Sequence, residues 1–356
     1  MDQAQISAAS ASRMIRGTLK FGILALGLTA TLSCTQRDSL PLIVSVPSLS
    51  ISRLPYIIAQ DQGLYEKHGL KVELWMASPE SEDRVVVRAD LLTRLWRAIG
   101  INTPQKPDVE INGGTPMMVA AMQSARAPHR IVLASTDCVV RAHLIGRKGI
   151  TSAEELKGKR IGVSALRATA GFHAILFAQR MGWDPFKDVT IIPDAENVGV
   201  LLDNSVDAIF GYEREYAAAE RAGLPILADT RDWNETVAGN SAIFDSEWLK
   251  DGTHREAARR FLKATIEAIA LFHEHPEIAM QVMEKWYGIE DKQYAKTLYD
   301  RGAWIPRKPY PCYEGFKKTT ELYDSNEMRK HSPSEFYDDS LMREIDASGF
   351  IDNLYR

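Results

Sequence analysis

Residues 42–75 read LIVSVPSLSISRLPYIIAQDQGLYEKHGLKVELW. Residues 42–46 form a short apolar run with β-branched side chains, which is typical of a buried strand. Residues 54–68 carry apolar side chains at helical spacing and end before Gly69, and residues 72–75 form a second strand-like run. The stretch therefore predicts a strand, a helix and a further strand in succession.

The same alternation continues towards residue 227. Further strands are predicted at residues 109–111, 131–133, 143–145, 161–163, 189–192, 208–210 and 226–227. Helices are predicted between them, at about residues 115–125, 152–157, 169–182, 195–203 and 214–222. Alternating strands and helices of this kind imply an α/β protein with parallel sheets and right-handed crossovers.

Two segments depart from the alternation. From Thr253 onward the pattern is helical only, Thr253 and Glu256 match a capping box, and Pro276 begins a second helix. Earlier in the chain, residues 84–99 have a helical pattern and residues 100–107 resemble a loop.

Length and composition place the chain among ordinary globular proteins. Its 356 residues suffice for about two to three domains, and 45% hydrophobic with 25% charged residues exclude a disordered or coiled-coil chain. Lys and Arg total 43 against 47 Asp and Glu, so the net charge is −4 and no basic surplus indicates nucleic-acid binding. The longest apolar run, near the N-terminus, is too short to span a bilayer as a helix.

The N-terminus has the order of a secretory signal peptide. Three basic residues precede an uncharged stretch at residues 21–33, which ends in small side chains. We therefore expect residues 1–33 to be removed on export. Cys34 resembles the acylated cysteine of a lipoprotein, although Thr31 stands where such signals usually carry Leu. A lipid anchor on Cys34 and an ordinary signal peptide with a chance cysteine are the two alternatives.

An ordered set of motifs carries a family resemblance. Residues 55–73 place Pro55, Ala59 and the run GLYEKHGLKVE at fixed spacing. The later motifs are LKGKRIGV at 156–163, MGWDP with KDV at 181–189, VDAIF at 206–210, and FYDDS with GFID at 336–352. Across residues 41–352 the chain resembles ABC-transporter substrate-binding proteins of the nitrate/sulfonate/taurine and thiamine-pyrimidine-precursor type. One departure is an insertion at residues 78–107, where the family has a short helix and a turn.

The resemblance implies a two-lobed periplasmic-binding-protein type II fold, with a hinge and a ligand cleft between the lobes. Residues 41–138 and 240–356 would form the first lobe, and residues 139–239 the second. The chain would cross between the lobes near residues 136–141 and return near residues 237–241.

Candidate ligand contacts follow the strand ends, because open α/β sheets bind ligands beyond the carboxyl ends of their strands. The loop after the first strand holds Ser50 and Arg53, and Tyr56 lies in the first turn of the next helix. The expected ligand-binding residues are Ser50, Tyr56, Gly114, Thr115, Arg167, Thr169, Tyr212 and Glu213. At each loop, plain helix capping or loop closure is the alternative interpretation.

These candidates favour different ligand chemistries. Arg167 precedes a helix N-terminus, and the two together favour an anion such as a sulfonate, nitrate or carboxylate. Tyr212 and Glu213 favour a cationic or heteroaromatic molecule, and Gly114 would let the backbone approach a ligand closely. Alternatively, Arg167 is solvated on the cleft rim and Glu213 merely begins a helix.

No residue pattern indicates catalysis or a metal centre. The eight histidines form no metal pattern, and nucleophile-elbow, zincin and Walker motifs are absent. We expect no enzyme activity, no cofactor and no metal. Cys138 and Cys312 could pair in an exported protein or remain apart. Trp304 would line the cleft or belong to the core, and His173 is expected to pack.

The function that the resemblance implies is an exported solute-binding protein that delivers a small ligand to an ABC permease and ATPase. The ligand would be a sulfonate, nitrate, taurine or pyrimidine-like molecule. The protein would be a monomer in the periplasm or at the cell surface, anchored by lipid at Cys34. One alternative is an enzyme like the thiamine-pyrimidine synthases, whose cysteine-rich motif has no counterpart here. Another is a ligand-sensing subunit of a membrane sensor.

Overall fold

Two mixed β-sheets organise the chain. The computed structural model describes residues 39–77, 84–86, 106–123, 129–139, 141–302 and 304–356. The predicted signal peptide and Cys34 lie outside these residues, as does most of the insertion at residues 78–107.

Most strands and helices follow the order expected from the sequence pattern. The strands are β1 (Leu40–Val46), β2 (Leu70–Ala77), β3 (Arg84–Val86), β4 (Val109–Gly113), β5 (Arg130–Ser135), β6 (His143–Gly146), β7 (Arg160–Gly162), β8 (Thr190–Ile192), β9 (Ala208–Gly211), β10 (Ile226–Asp229) and β11 (Asn240–Asp245). The helices are α1 (Leu54–Asp61), α2 (Leu64–Lys67), α3 (Gly114–Gln123), α4 (Thr169–Arg180), α5 (Gly199–Leu202), α6 (Glu213–Ala222), α7 (Gly252–Glu274), α8 (Pro276–Tyr287), α9 (Lys292–Arg301), α10 (Tyr313–Leu322), α11 (Ser340–Ala347) and α12 (Phe350–Asn353). Within the described residues, no helix combines the length and apolar character that crossing a membrane requires.

The first sheet takes strands from two distant parts of the chain. Its order is β3-β2-β1-β4-β11-β5, with β1 parallel to both β2 and β4. β11 lies antiparallel between β4 and β5 and pairs with both. The sequence pattern does not predict β11. Its apolar residues 242–244 directly follow residues 237–241, which were expected to be the segment that returns between the lobes.

The second sheet uses residues 143–229 only. Its order is β10-β6-β9-β7-β8; β7 is parallel to β8 and β9, whereas β6 is antiparallel to β9 and β10. The expected parallel pairing is therefore present in both sheets, around β1 and β7, but it does not extend to the antiparallel strands. Strand–helix alternation predicts the relative direction only of strands that a single crossover joins. It does not predict the direction of β6, β10 and β11, because they pair with strands far away in sequence.

Stacked aromatic rings hold the first helices against α7. Tyr56 of α1 and Tyr65 of α2 lie with their ring centroids 6.0 and 5.5 Å from that of Phe261. All three rings are buried. The single helix predicted over residues 54–68 is interrupted between α1 and α2, where Gly63 adopts a φ of +67°, a conformation that glycine tolerates best.

Two predicted helix starts differ in the structure. Asp251 Oδ1 accepts hydrogen bonds from the N–H groups of Thr253 at 2.8 Å and His254 at 3.1 Å, so Asp251 caps α7 and the predicted capping box of Thr253 and Glu256 is wrong. Arg84–Val86 pair with β2 as a strand, whereas a helix was expected to begin there. The predicted helix start at Pro276 is confirmed.

Two crossing segments connect the sheets and are bonded to each other. Val139 and Thr236 form an antiparallel bridge, and the Val237 N–H donates to the Cys138 carbonyl at 3.3 Å. Cys138 also forms a disulfide with Cys312, which precedes α10, and their Cα atoms lie 5.4 Å apart. The disulfide therefore ties the first crossing segment to the C-terminal helices. The division into lobes at residues 138 and 240 stays a prediction.

Candidate ligand-binding cleft

A cleft of about 1120 Å³ opens where strands of both sheets end. On one wall, Ser50 follows β1 and Asn112 is the next-to-last residue of β4. Ser164 follows β7 and Tyr212 follows β9, on the other. Open α/β sheets bind ligands at such strand ends, so this cleft is the candidate functional site.

Arg141 lines the cleft from the crossing segment between β5 and β6. Its Nε and Nη2 donate to Asp137 Oδ2 at 3.1 and 2.9 Å, and Nη2 also donates to Ser52 Oγ at 3.1 Å. Its Nη1 donates to the Glu213 carboxylate at the start of α6. Asp137, Arg141 and Glu213 are all buried. One guanidinium therefore bonds to side chains on both walls.

Aromatic rings complete the surroundings of Arg141. Its Cζ lies 4.2 Å from the centroid of the Trp304 ring and 5.2 Å from that of Tyr212. Burial lowers the pKa of Arg141, but Asp137 and Glu213 outweigh burial and raise that pKa above its usual range. The carboxylate of Glu213 is thus bound to Arg141, and its predicted role towards a ligand amine stays a prediction.

Arg53 is a second buried arginine on this cleft, and it lacks such partners. It is 8% exposed, and its Nη1 donates to the Ser48 carbonyl at 3.3 Å. In the described part of the chain, its Nε has no hydrogen-bond partner and its guanidinium has no carboxylate partner. Burial lowers the pKa of Arg53 to about 10. Tyr287 raises this pKa, whereas neighbouring Arg141 lowers it. Arg53 therefore keeps its charge at neutral pH.

Half of the predicted ligand residues line the cleft. These are Ser50, Thr169, Tyr212 and Glu213. The cleft-lining residues of the described chain do not include Tyr56, Gly114, Thr115 or Arg167. A contact between any of the eight and a ligand stays a prediction. The sequence analysis named Arg53 as part of the candidate loop after β1, but it included neither Arg53 nor Arg141 among the expected ligand-binding residues.

Gly114 and Thr115 pack against the returning crossing segment. Their N–H groups donate to the carbonyls of Gly239 and Ala238 at 2.9 and 2.8 Å, and Thr115 Oγ1 lies 2.9 Å from Thr319 Oγ1. A Cβ added at Gly114 would lie 3.0 Å from the Ala238 Cβ. In this structure the close approach at Gly114 therefore accommodates the crossing segment.

The two walls approach each other near Gly113. A Cβ added there would lie 3.0 Å from Thr169 Oγ1 on the opposite wall. Nearby in sequence, the Leu166 carbonyl accepts a hydrogen bond from the Tyr323 hydroxyl at 3.0 Å. Arg167, next to Leu166, is exposed. Any role of Arg167 in binding an anion stays a prediction.

Tyr287 and Tyr294 line the part of the cleft that lies between α6 and the helices α8 and α9. Burial raises the pKa of Tyr287 above its usual range, while Arg53 and Arg214 act to lower it. Burial also raises the pKa of Tyr294, again opposed by Arg214 and by Arg221, whose Cζ lies 5.0 Å from the ring centroid. Arginines from both walls therefore lie close to these two tyrosines.

Two buried histidines are neutral at physiological pH. His173 of α4 has no hydrogen-bond partner on either ring nitrogen within the described residues, and burial lowers its pKa to about 3. Burial lowers the pKa of His143 to about 4, and its Nε2 lies 2.8 Å from Arg301 Nη1, from which the neutral ring can accept. The expected packing of His173 agrees with this burial. The described residues hold no group of three or more side chains able to ligate a metal.

Part of the sequence matches one family model. Residues 134–279 match the model of the NMT1/THI5-like family. The NMT1/THI5-like region begins within β5 and includes the second sheet, Arg141, Tyr212 and Glu213. This match confirms the resemblance inferred from the motifs. No curated protein matches the sequence.

Solved structures with the same fold cover most of the chain. The periplasmic nitrate-binding protein NrtA from Synechocystis PCC 6803 has a TM-score of 0.63 at 14% identity, covering 88% of this chain and 91% of its own. The ligand-binding component of an ABC-type import system from Staphylococcus aureus, with zinc bound, has a TM-score of 0.62 at 14% identity, covering 86% of this chain and 98% of its own. The periplasmic aliphatic sulphonate binding protein SsuA from Escherichia coli has a TM-score of 0.57 at 16% identity, covering 80% of this chain and 92% of its own. The predicted periplasmic-binding-protein fold is thereby confirmed.

Proposed function

We propose that this protein is an exported solute-binding protein, which captures a small ligand in its cleft and delivers it to an ABC permease and ATPase. The observation that carries the proposal is the cleft of about 1120 Å³ at the strand ends of both sheets. Its walls belong to the proposed lobes, residues 41–138 with 240–356 and residues 139–239. Bending of the two crossing segments would close it around a ligand.

The relatives support an import role and a periplasmic location. NrtA and SsuA are named as periplasmic nitrate- and sulphonate-binding proteins, and the Staphylococcus aureus protein as part of an ABC-type import system. By analogy the ligand is a sulfonate, nitrate, taurine or pyrimidine-like molecule. Ser50, Thr169, Tyr212 and Glu213 are our candidates for its contacts, and the protein would act as a monomer without chemistry.

The anchor to the membrane is a separate part of the proposal. Residues 1–33 would direct export, and acylation of Cys34 would hold the protein at the membrane surface. Cells fed labelled palmitate should label the wild-type protein, whereas Cys34→Ala should be unlabelled and soluble or unprocessed. An unlabelled wild-type protein cleaved at another residue would remove the anchor and leave the import role intact.

The import role is tested by ligand identity and uptake. The protein is purified without added ligand and denatured, and the released small molecules are identified by mass spectrometry. Cells lacking the gene should lose uptake of that molecule and regain it with the wild-type gene. Unchanged uptake contradicts the import role, and conversion of the molecule by the purified protein would favour the enzyme alternative.

A further inference from the structure

We propose that Arg53 binds the anionic group of an organic acid, and that the apolar body of this ligand lies along Tyr287 and Tyr294. The inference rests on the proposed solute-binding function and names the ligand class of the same cleft. Its starting point is the contrast between two buried arginines on one cleft.

The two arginines differ in what neutralises their charge. Arg141 donates to the carboxylates of Asp137 and Glu213, so its charge is offset within the protein. Arg53 is also buried, but among the described residues it donates only to the Ser48 carbonyl, at a long 3.3 Å. A buried cation without an anionic partner is costly. A ligand oxyanion at Arg53 would remove that cost.

Four of the six carboxylates that line the cleft are engaged elsewhere. Asp137 and Glu213 bind Arg141, and Glu215 Oε2 accepts from the Tyr212 N–H at 3.0 Å. On the facing wall, Asp291 accepts from the N–H groups at the start of α9. These acids cap helices or pair with Arg141, and among the described residues neither they nor Glu196 and Glu290, the other acids of the cleft, pair with Arg53. Its planar donors match a carboxylate or a sulfonate.

The size of the cleft leaves room for an organic molecule. An inorganic oxyanion such as nitrate needs little more room than a few water molecules, each about 30 Å³ in the liquid. The cleft is about 1120 Å³, in the size class of pockets that enclose organic ligands of many atoms. Its apolar lining includes Leu49, Ile51, Met283, Ile289 and Leu298. An apolar ligand body would bury this surface.

The tyrosines give the direction in which that body extends. The Tyr287 hydroxyl donates to the Ser50 carbonyl, three residues before Arg53, at 2.9 Å. The ring of Tyr294 lies farther from that loop, with its centroid 5.0 Å from Arg221 Cζ of α6. Tyr287 therefore lies at the end of the wall next to Arg53, and Tyr294 lies farther along the same wall.

Calorimetric titration of the purified protein tests the inference. The probes are benzenesulfonate, hexanesulfonate, benzoate and hexanoate, with nitrate and sulfate as inorganic anions and benzenesulfonamide as the neutral analogue. At least one organic anion should bind, whereas nitrate, sulfate and the sulfonamide should not. Arg53→Gln should weaken that organic anion at least tenfold, because charged hydrogen bonds are lost. Tyr294→Leu should weaken it several-fold.

Matched variants separate binding from folding. Arg329→Gln removes an exposed guanidinium paired with Asp324 outside the cleft, and should bind like the wild type. Arg53→Lys keeps the charge without the planar fork and should bind with intermediate affinity. The ligand-free melting temperature of each variant reports whether it folds.

Three results would overturn the inference: equal affinity of Arg53→Gln and the wild type, nitrate or sulfate binding as tightly as the organic anions, or no binding by any organic anion. All three leave the import role standing, since that role depends on whether uptake requires the gene.

Discussion

Replacing Arg141 by methionine removes the guanidinium that pairs with Asp137 and Glu213. Methionine keeps much of the length and apolar stem of the side chain, so the main change is electrostatic. Both carboxylates are buried, with exposures of 3% and 6%, and would lose their cationic partner. Breaking a buried ion pair from one side costs about 3–5 kcal/mol in the free energy of unfolding.

That cost corresponds to a measurable melting shift. Over Asp38–Arg356, an unfolding entropy of about 2.1 cal/mol/K per residue converts each kcal/mol into about 1.5 °C. Arg141→Met should therefore lower the melting temperature of the ligand-free protein by about 4–8 °C. Scanning calorimetry at pH 7 measures this, and circular dichroism checks that the variant is folded.

Two further variants test the cause. Arg53→Met removes a buried guanidinium that has no carboxylate partner among the described residues, so its melting temperature should stay equal or rise. Combining Arg141→Met with Asp137→Asn and Glu213→Gln removes the stranded charges and should recover most of the loss. An Arg141→Met protein that melts within about 1 °C of the wild type would refute the reasoning, as would a triple variant that recovers nothing.

Three other variants have defined outcomes. Between about pH 3 and 6.5 the unfolded chain binds a proton that folded His173 excludes, so the wild type loses stability as pH falls. Relative to the wild type, His173→Leu should therefore gain about 2 kcal/mol between pH 7 and pH 5 in urea titrations, and an unchanged difference would contradict the low pKa. Replacing Cys138 and Cys312 by serine opens a loop with a sequence separation of 174, and should cost about 2–5 kcal/mol in non-reducing denaturant titrations; equal midpoints would contradict this. Gly162→Ala should cost about 1–3 kcal/mol by the same measurement, because the new Cβ would collide with the Ala195 carbonyl, and a stable variant would show that this loop moves freely.

Local sequence patterns predict the strands and helices of this fold well where the residues of one segment are sufficient to identify the element. The helix expected at residues 169–182 is Thr169–Arg180, and the strand expected at 208–210 is Ala208–Gly211. Apolar runs suffice there, because both segments are buried almost throughout: residues 170–178 of the helix and all four residues of the strand. The pattern did not predict β11, whose partners β4 and β5 precede it by more than a hundred residues.

The candidate site was less accessible to sequence reasoning. Tyr212 and Glu213 were placed on the cleft from their position after a strand, and they line it. The partner of Glu213 is Arg141, 72 residues away, and no local pattern predicts that contact. The absence of a carboxylate partner for Arg53 in the described chain is also a property of the folded molecule, because burial and distance define it.

The position of β11 has a consequence for the order in which the chain folds. β11 occupies an interior position in the first sheet, between β4 and the edge strand β5, but it is synthesised only after the entire second sheet. A chain emerging N-terminus first therefore holds β4 and β5 with unpaired edges until residues 240–245 arrive. During that interval the second sheet can already assemble from residues 143–229. We therefore expect the second sheet to form first, and a chain truncated before residue 240 to aggregate through the exposed edges of β4 and β5.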